Sequence, residues 1–208
     1  VVPRFKVASN THIFIMTTIR LTPLMNLRLT RRAYEMVVRS LICFPELKET
    51  TITIGYTRKH LGSATVVYRK GVISRLIIRL KVRKVTYQTI GHELTHLIQG
   101  LDRGNLTAPR ATDYDRIPSG ETQCDIWTLA RDPLFCDDPP TYIKMPRTMR
   151  ERWAEYSESV RELCIAAIEK RRTQRHYIRW LEDEIRKLAK APVDKKIAPA
   201  QLALPFII

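Results

Sequence analysis

Between Thr86 and Leu101, the apolar residues Ile90, Leu94, Leu97, Ile98 and Leu101 recur at the three- and four-residue steps of one helix face. The helix this predicts carries the run His92-Glu93-Leu94-Thr95-His96. Residues four apart on a helix lie one above the other, so His92 and His96 can offer two imidazole nitrogens to one cation. Glu93 points slightly off that pair, where it can draw a proton from a water on the cation as that water attacks a carbonyl. Zn2+ suits two imidazoles, and a catalytic zinc normally takes three protein ligands and keeps one open position. A third ligand must therefore come from elsewhere in the chain. Gly100 and Gly104 bracket the predicted helix end.

The sequence before this helix predicts a compact frame. An irregular start gives way to a helix capped by Thr30 and running to about Phe44, where Pro45 stops it. Three β-like runs follow, Thr51 to Tyr56, Ala64 to Arg69 and Val72 to Val82, the last two joined by Lys70-Gly71 as a hairpin. In the third run Leu76, Ile78, Leu80 and Val82 alternate with Arg75, Ile77, Arg79, Lys81 and Arg83, which predicts one core face and one strongly basic face. After the histidine helix comes a polar loop from Asp102 to Pro118, then a helix over Gly120 to Arg131 with Ser119 as its N-cap. From Arg147 onward apolar stripes predict further helix, divided near Lys170 to Arg175.

Glu121 is the expected third ligand. It opens the predicted 120–131 helix, and Asp125 follows one turn later in Glu121-Thr122-Gln123-Cys124-Asp125. This pairing of H-E-x-x-H with a downstream E-x-x-x-D resembles the gluzincin metallopeptidases, in particular small members such as the minigluzincins, over roughly residues 50 to 131. The resemblance implies Zn2+ held by His92, His96 and Glu121, Glu93 as the catalytic base, and Asp125 as the carboxylate that orients His92. It implies hydrolysis of a peptide or protein substrate. Cys124 stands where the family often has a small residue, which leaves a thiol as an extra soft ligand. Asp102 is a rival ligand, six residues after His96, where metzincins place a histidine or an aspartate. The metzincin glycine is out of register here, since Gln99 holds its position and the glycine is Gly100. Tyr114, Tyr142 and His176 are candidates for stabilising an oxyanion. The strand from Val72 to Val82 resembles the edge strand on which zincins lay an extended substrate.

Composition sets the remaining bounds. At 44% hydrophobic and 27% charged, the 208-residue chain is that of an ordinary globular protein. Its longest apolar runs fall far short of the roughly 20 residues of a membrane span. No secretory start is legible in the first residues, so a cytoplasmic protein is expected. Four cysteines without a C-x-x-C pair predict free thiols. The expected fold is α+β and zincin-like, with a small, mostly antiparallel sheet. Residues 1–25 are expected to be irregular, 26–146 to form the catalytic domain, and 147–208 to be a helical region packing on it or capping it. Residues 1–91 hold 17 Lys and Arg against 3 acids, whereas 92–208 hold 19 against 18. The basic field belongs to the first half and points to an anionic partner, nucleic acid or an acidic protein, with Arg75, Arg79, Lys81 and Arg83 as the anion-binding face. Two alternative functions follow: a nucleic-acid binder with a structural or regulated zinc site, and a peptidase recruited to nucleic acid.

Overall fold

The computed structural model describes residues 17–104 and 116–190. Tyr114 and most of the predicted loop after Asp102 lie outside them. Strand β1 (Thr18–Leu21) leads into the short helix α1 (Pro23–Arg28) and then α2 (Arg31–Ile42). Strands β2 (Thr51–Tyr56), β3 (Gly62–Arg69) and β4 (Val72–Leu80) follow, then α3 (Tyr87–Gly104), α4 (Glu121–Arg131), α5 (Arg147–Glu151), α6 (Trp153–Lys170) and α7 (Tyr177–Lys190). Among the described residues no helix is long and apolar enough to cross a membrane.

Local chemistry accounts for the helix starts. Thr30 Oγ1 accepts from the Ala33 amide at 3.1 Å, the capping bond that the sequence predicted. Helix α1 begins in the same way, with Thr22 as its cap and Pro23 in its first turn. The N-cap of α4 is Gly120, which makes no side-chain capping bond, and not Ser119 as expected. Regular structure also begins earlier than expected. In β1, Ile19 and Leu21 are half-buried between exposed Thr18 and Arg20, an alternation too short to read with confidence from four residues.

The sheet is mixed, with strand order β1-β2-β4-β3. Strand β1 runs parallel to β2 and β2 parallel to β4, and only the β3–β4 pairing is antiparallel. The α+β class stands, but the expectation of a mostly antiparallel sheet is corrected. The hairpin is where it was expected, turning at Lys70 (φ 51°) and Gly71 (φ 78°). What overturns the topology is β4, which inserts between β2 and β3 and makes β3 the outer strand. Strand β4 is thus paired along both sides and is not the open edge it was expected to be.

The buried face of the sheet, with Ile52, Ile54, Leu76, Ile78 and Leu80, packs with α2 and α3 in one hydrophobic cluster. A second cluster joins Ile126 and Leu129 of α4 to α5, α6 and α7 through Met149, Trp153, Val160, Leu181 and Ile185. Helix α4 thus stands between the sheet-bearing half and the C-terminal helices. It approaches α3 closely at Gly91, where an added Cβ would lie 2.6 Å from Phe135 Cδ1 and 2.7 Å from Thr128 Cγ2. Beside it the hydroxyls of Thr95 and Thr128 are 2.9 Å apart and wholly buried. Gly91→Ala is expected to destabilise the protein by about 1–3 kcal/mol through overpacking. Urea denaturation would measure this, and an unchanged midpoint would contradict the close α3–α4 contact.

Candidate metal centre

Helix α3 buries Ile90, Leu94, Leu97 and Ile98 in the core and turns a polar stripe, Gln88, His92, His96 and Gln99, toward α4 and the loop before it. His92 and Glu93 are each only 6% exposed. Their ring and carboxyl groups line a cleft of about 900 Å³, together with His96, Glu121, Tyr142 and strand β3 from Gly62 to Val66. The two imidazoles meet edge to face, with ring centroids 4.8 Å apart.

Each ring is held from behind. His92 Nδ1 lies 2.8 Å from Asp125 Oδ1, which also accepts from Gln88 Nε2 at 3.0 Å. Asp125 is fully buried, and its second oxygen accepts from the Tyr142 amide at 2.5 Å. A buried carboxylate with three donors is satisfied, and it fixes His92 with Nδ1 as the proton-bearing nitrogen. His96 Nδ1 lies 3.0 Å from Gln99 Oε1. Gln99 Nε2 in turn donates to the Pro118 carbonyl at 2.5 Å, tying the ring to the segment that leads into α4.

The opposite nitrogens face one oxygen. Glu121 Oε2 lies 3.0 Å from His92 Nε2 and 3.0 Å from His96 Nε2. Cys124 is also close: its buried Sγ is 3.1 Å from His96 Nδ1, the side that Gln99 holds. Atoms of His92, His96 and Cys124 capable of binding a metal lie within 4.8 Å of one another, so this group could hold a metal ion.

Burial and neighbouring charge shift the titrating groups. Burial pushes Glu93 up from 4.5 to about 7; the nearby His92 pulls it down, and the Glu121 charge adds to the rise. Burial alone would lower His92, but the hydrogen bond and charge of Asp125 outweigh it and leave the imidazole raised. For Glu121, burial favours the acid, yet the hydrogen bonds with His96 and His92 win and hold it below the ordinary carboxylate value. Burial, with the charges of Glu121, Asp125 and Glu93, drives the Cys124 thiol far up, so it stays protonated in the metal-free protein.

The expected site residues are placed unequally. His92, Glu93, His96 and Glu121 come together in the cleft wall, with Asp125 buried behind His92. Asp102 does not share the histidine face. Helix α3 continues to Gly104, so six residues beyond His96 the side chain is carried about 120° round the helix. The metzincin position would need the helix to break earlier. Of the oxyanion candidates, Tyr142 lines the cleft and stacks on His92 with centroids 5.5 Å apart. His176 is exposed in the connection between α6 and α7 and is not part of the cleft wall.

Sequence reasoning missed Gln88, Gln99 and Gly62. The glutamines are four residues before His92 and three after His96, a helical spacing that would have flagged them. Gly62 has no such signal. An added Cβ there would lie 2.5 Å from Glu93 Oε1, so the carboxylate rests directly against the start of β3.

No known family matches the chain, and comparison with curated proteins and with solved structures gives no match either.

The raised Glu93 has a measurable consequence in the metal-free protein. Between pH 4.5 and about 7 the folded state holds a proton that the unfolded chain has released. Stability therefore falls as pH rises through that window. The loss from this one group is expected to reach about 3 kcal/mol by pH 8. Glu93→Gln should lack it. Urea titrations of chelator-treated protein from pH 5 to 8 test this, and parallel curves for the two proteins would refute it.

Proposed function

We propose that this protein is a zinc-dependent metallopeptidase of the gluzincin type, with His92, His96 and Glu121 as the metal ligands. The observation that carries the reading is the single Glu121 oxygen 3.0 Å from each Nε2, while both Nδ1 atoms are engaged from behind. Ligands at about 2.0–2.2 Å on a tetrahedral zinc lie roughly 3.3 Å apart along each edge. The donor set therefore suits the ion with only a small outward movement. Cys124 fits less well as a ligand, since its sulfur approaches His96 at Nδ1 and its thiol is strongly protonated.

Zinc, when bound, supplies the Lewis acidity that polarises the scissile carbonyl. The remaining steps belong to side chains. Glu93 takes the proton of the attacking water on its carboxylate and returns it to the leaving amine nitrogen. A carboxyl group that titrates near neutrality suits both transfers. Asp125 keeps His92 in one tautomer, with the proton on Nδ1 and the Nε2 lone pair free for the ion. Strand β3, the outer strand beside Glu93, offers main-chain groups to an extended peptide, a mode that accepts many sequences. Tyr142, on the cleft wall next to His92, is the group we assign to the developing oxyanion.

Purified protein is expected to hold about one zinc per chain and to cleave a mixed pool of fluorogenic peptides. Glu93→Gln should lower the rate by about 100-fold or more while zinc content is retained. Glu121→Ala should lose zinc on dialysis, and Cys124→Ser should keep it. Full cleavage by Glu93→Gln would reject the mechanism. Zinc loss in Cys124→Ser with retention in Glu121→Ala would replace the ligand set.

A further inference from the structure

The charges of this protein are arranged in two distinct ways. In the helical part, cations sit one turn from acids: Arg147 with Glu151, Arg152 with Glu155, Arg161 with Glu158, Arg172 with Glu169, Arg186 with Asp183 and Lys187 with Glu184. The four strands carry four arginines, Arg20, Arg69, Arg75 and Arg79, and no acidic residue. None of these four takes part in an ion pair among the described residues. Arg79 makes one hydrogen bond, to the Thr65 hydroxyl at 3.2 Å.

Pleat and register place three of them on one face, opposite the core. Ile54, Ile78 and Leu80 point inward, so their neighbours Thr53, Ile77 and Arg79 point outward. Arg20 is in register with Thr53, Ile77 and Thr65, and Arg79 with Gly55 and Ser63. Arg75 lies four residues from Arg79 on the same strand, about 13 Å away, and Arg20, two strands across and two residues along from each, is about 12 Å from both. Lys81 and Arg83 do not complete the row, because β4 ends at Leu80 and both fall at the turn into α3. Besides Gly55, Val67 and Ile77, the outward rows carry Thr18, Thr51, Thr53, Ser63 and Thr65, hydroxyls that donate to phosphate oxygens.

We propose that this sheet face, which no other described element covers, binds the phosphate backbone of a nucleic-acid duplex without reading its sequence. Unpaired arginines among hydroxyls, with no acid on the sheet, complement a dense line of phosphates. Their spacing is comparable with the roughly 12 Å between the backbones that flank a major groove. The strands' only aromatic residues are Tyr56, in register with buried Leu80, and Tyr68, which donates to the Gly100 carbonyl at 2.5 Å. The outward rows thus hold no ring on which unpaired bases could stack, which favours a duplex over a single strand. The face lies on the other side of the sheet from α3, and only the outer strand β3, through Ser63 and Thr65, borders both the face and the cleft.

The test is fluorescence anisotropy of full-length protein with a 20-base-pair DNA duplex of random sequence. Three phosphate contacts predict about a 40-fold loss of affinity between 50 and 200 mM salt, and Arg20→Ala with Arg75→Ala should reduce that to roughly 3-fold. Arg75→Lys, which keeps the charge, should remain near wild type and guards against a folding defect in the double variant. Unchanged affinity in the double variant, or a salt-independent affinity, would overturn the proposal. So would tighter binding of the single strand, displacement of the duplex by poly-glutamate at equal charge, or preference for anionic vesicles. Zinc content is read in parallel, so failure of this surface is distinguishable from failure of the metal centre.

Discussion

The Asp125 carboxylate is the fixed point of the site. It is fully buried and accepts from Gln88, from His92 and from the Tyr142 amide, groups on α3 and on the loop that follows Cys136. A buried carboxylate left short of partners costs several kcal/mol, so helix α4, helix α3 and that loop are locked in one mutual arrangement. The arrangement aims both Nε2 atoms at Glu121, one helical turn before Asp125. The same four-residue step on two helices, His92 to His96 and Glu121 to Asp125, thus produces a single focus.

Around that focus the protein gathers the carboxyl groups of Glu93, Glu121 and Asp125, and burial makes their charge costly. Glu93 is the group that bears the cost, since it is desolvated, close to Glu121, and set against Gly62. A cation at the focus would relieve that cost. The outer face of the sheet shows the converse arrangement, positive charge left without local acids. The helical part lies between these extremes, neutralised residue by residue.

Much of this was legible in the sequence because it rests on short-range periodicity. The α3 pattern, the Thr30 cap, the Lys70-Gly71 turn and the alternation in β4 are all decided by residues within a few positions of one another. Strand order is not. Whether β2 pairs with β3 or admits β4 between them depends on which edges meet in three dimensions, and the alternation is the same either way. The four residues of β1 were too few to show a period. Gln88 and Gln99 were read past because glutamine on a helix usually faces water; only the approach of α4 and its preceding segment makes them internal. No pattern marks Gly62, because what it makes room for is Glu93, 31 residues later in the chain.

Helix α4 has two working sides. One side presents Glu121, Cys124, Asp125 and Thr128 to α3, and the other contributes Ile126 and Leu129 to the packing against α6. The pocket therefore has no independent wall: the surface that completes it is the back of a helix anchored elsewhere. Trimming the chain to the sheet and α3–α4 would expose those isoleucine and leucine side chains to water and unseat the carboxylates with them. The smallest fragment that can keep the histidines aligned is one that retains the distant C-terminal bundle, although no residue of that bundle enters the cleft.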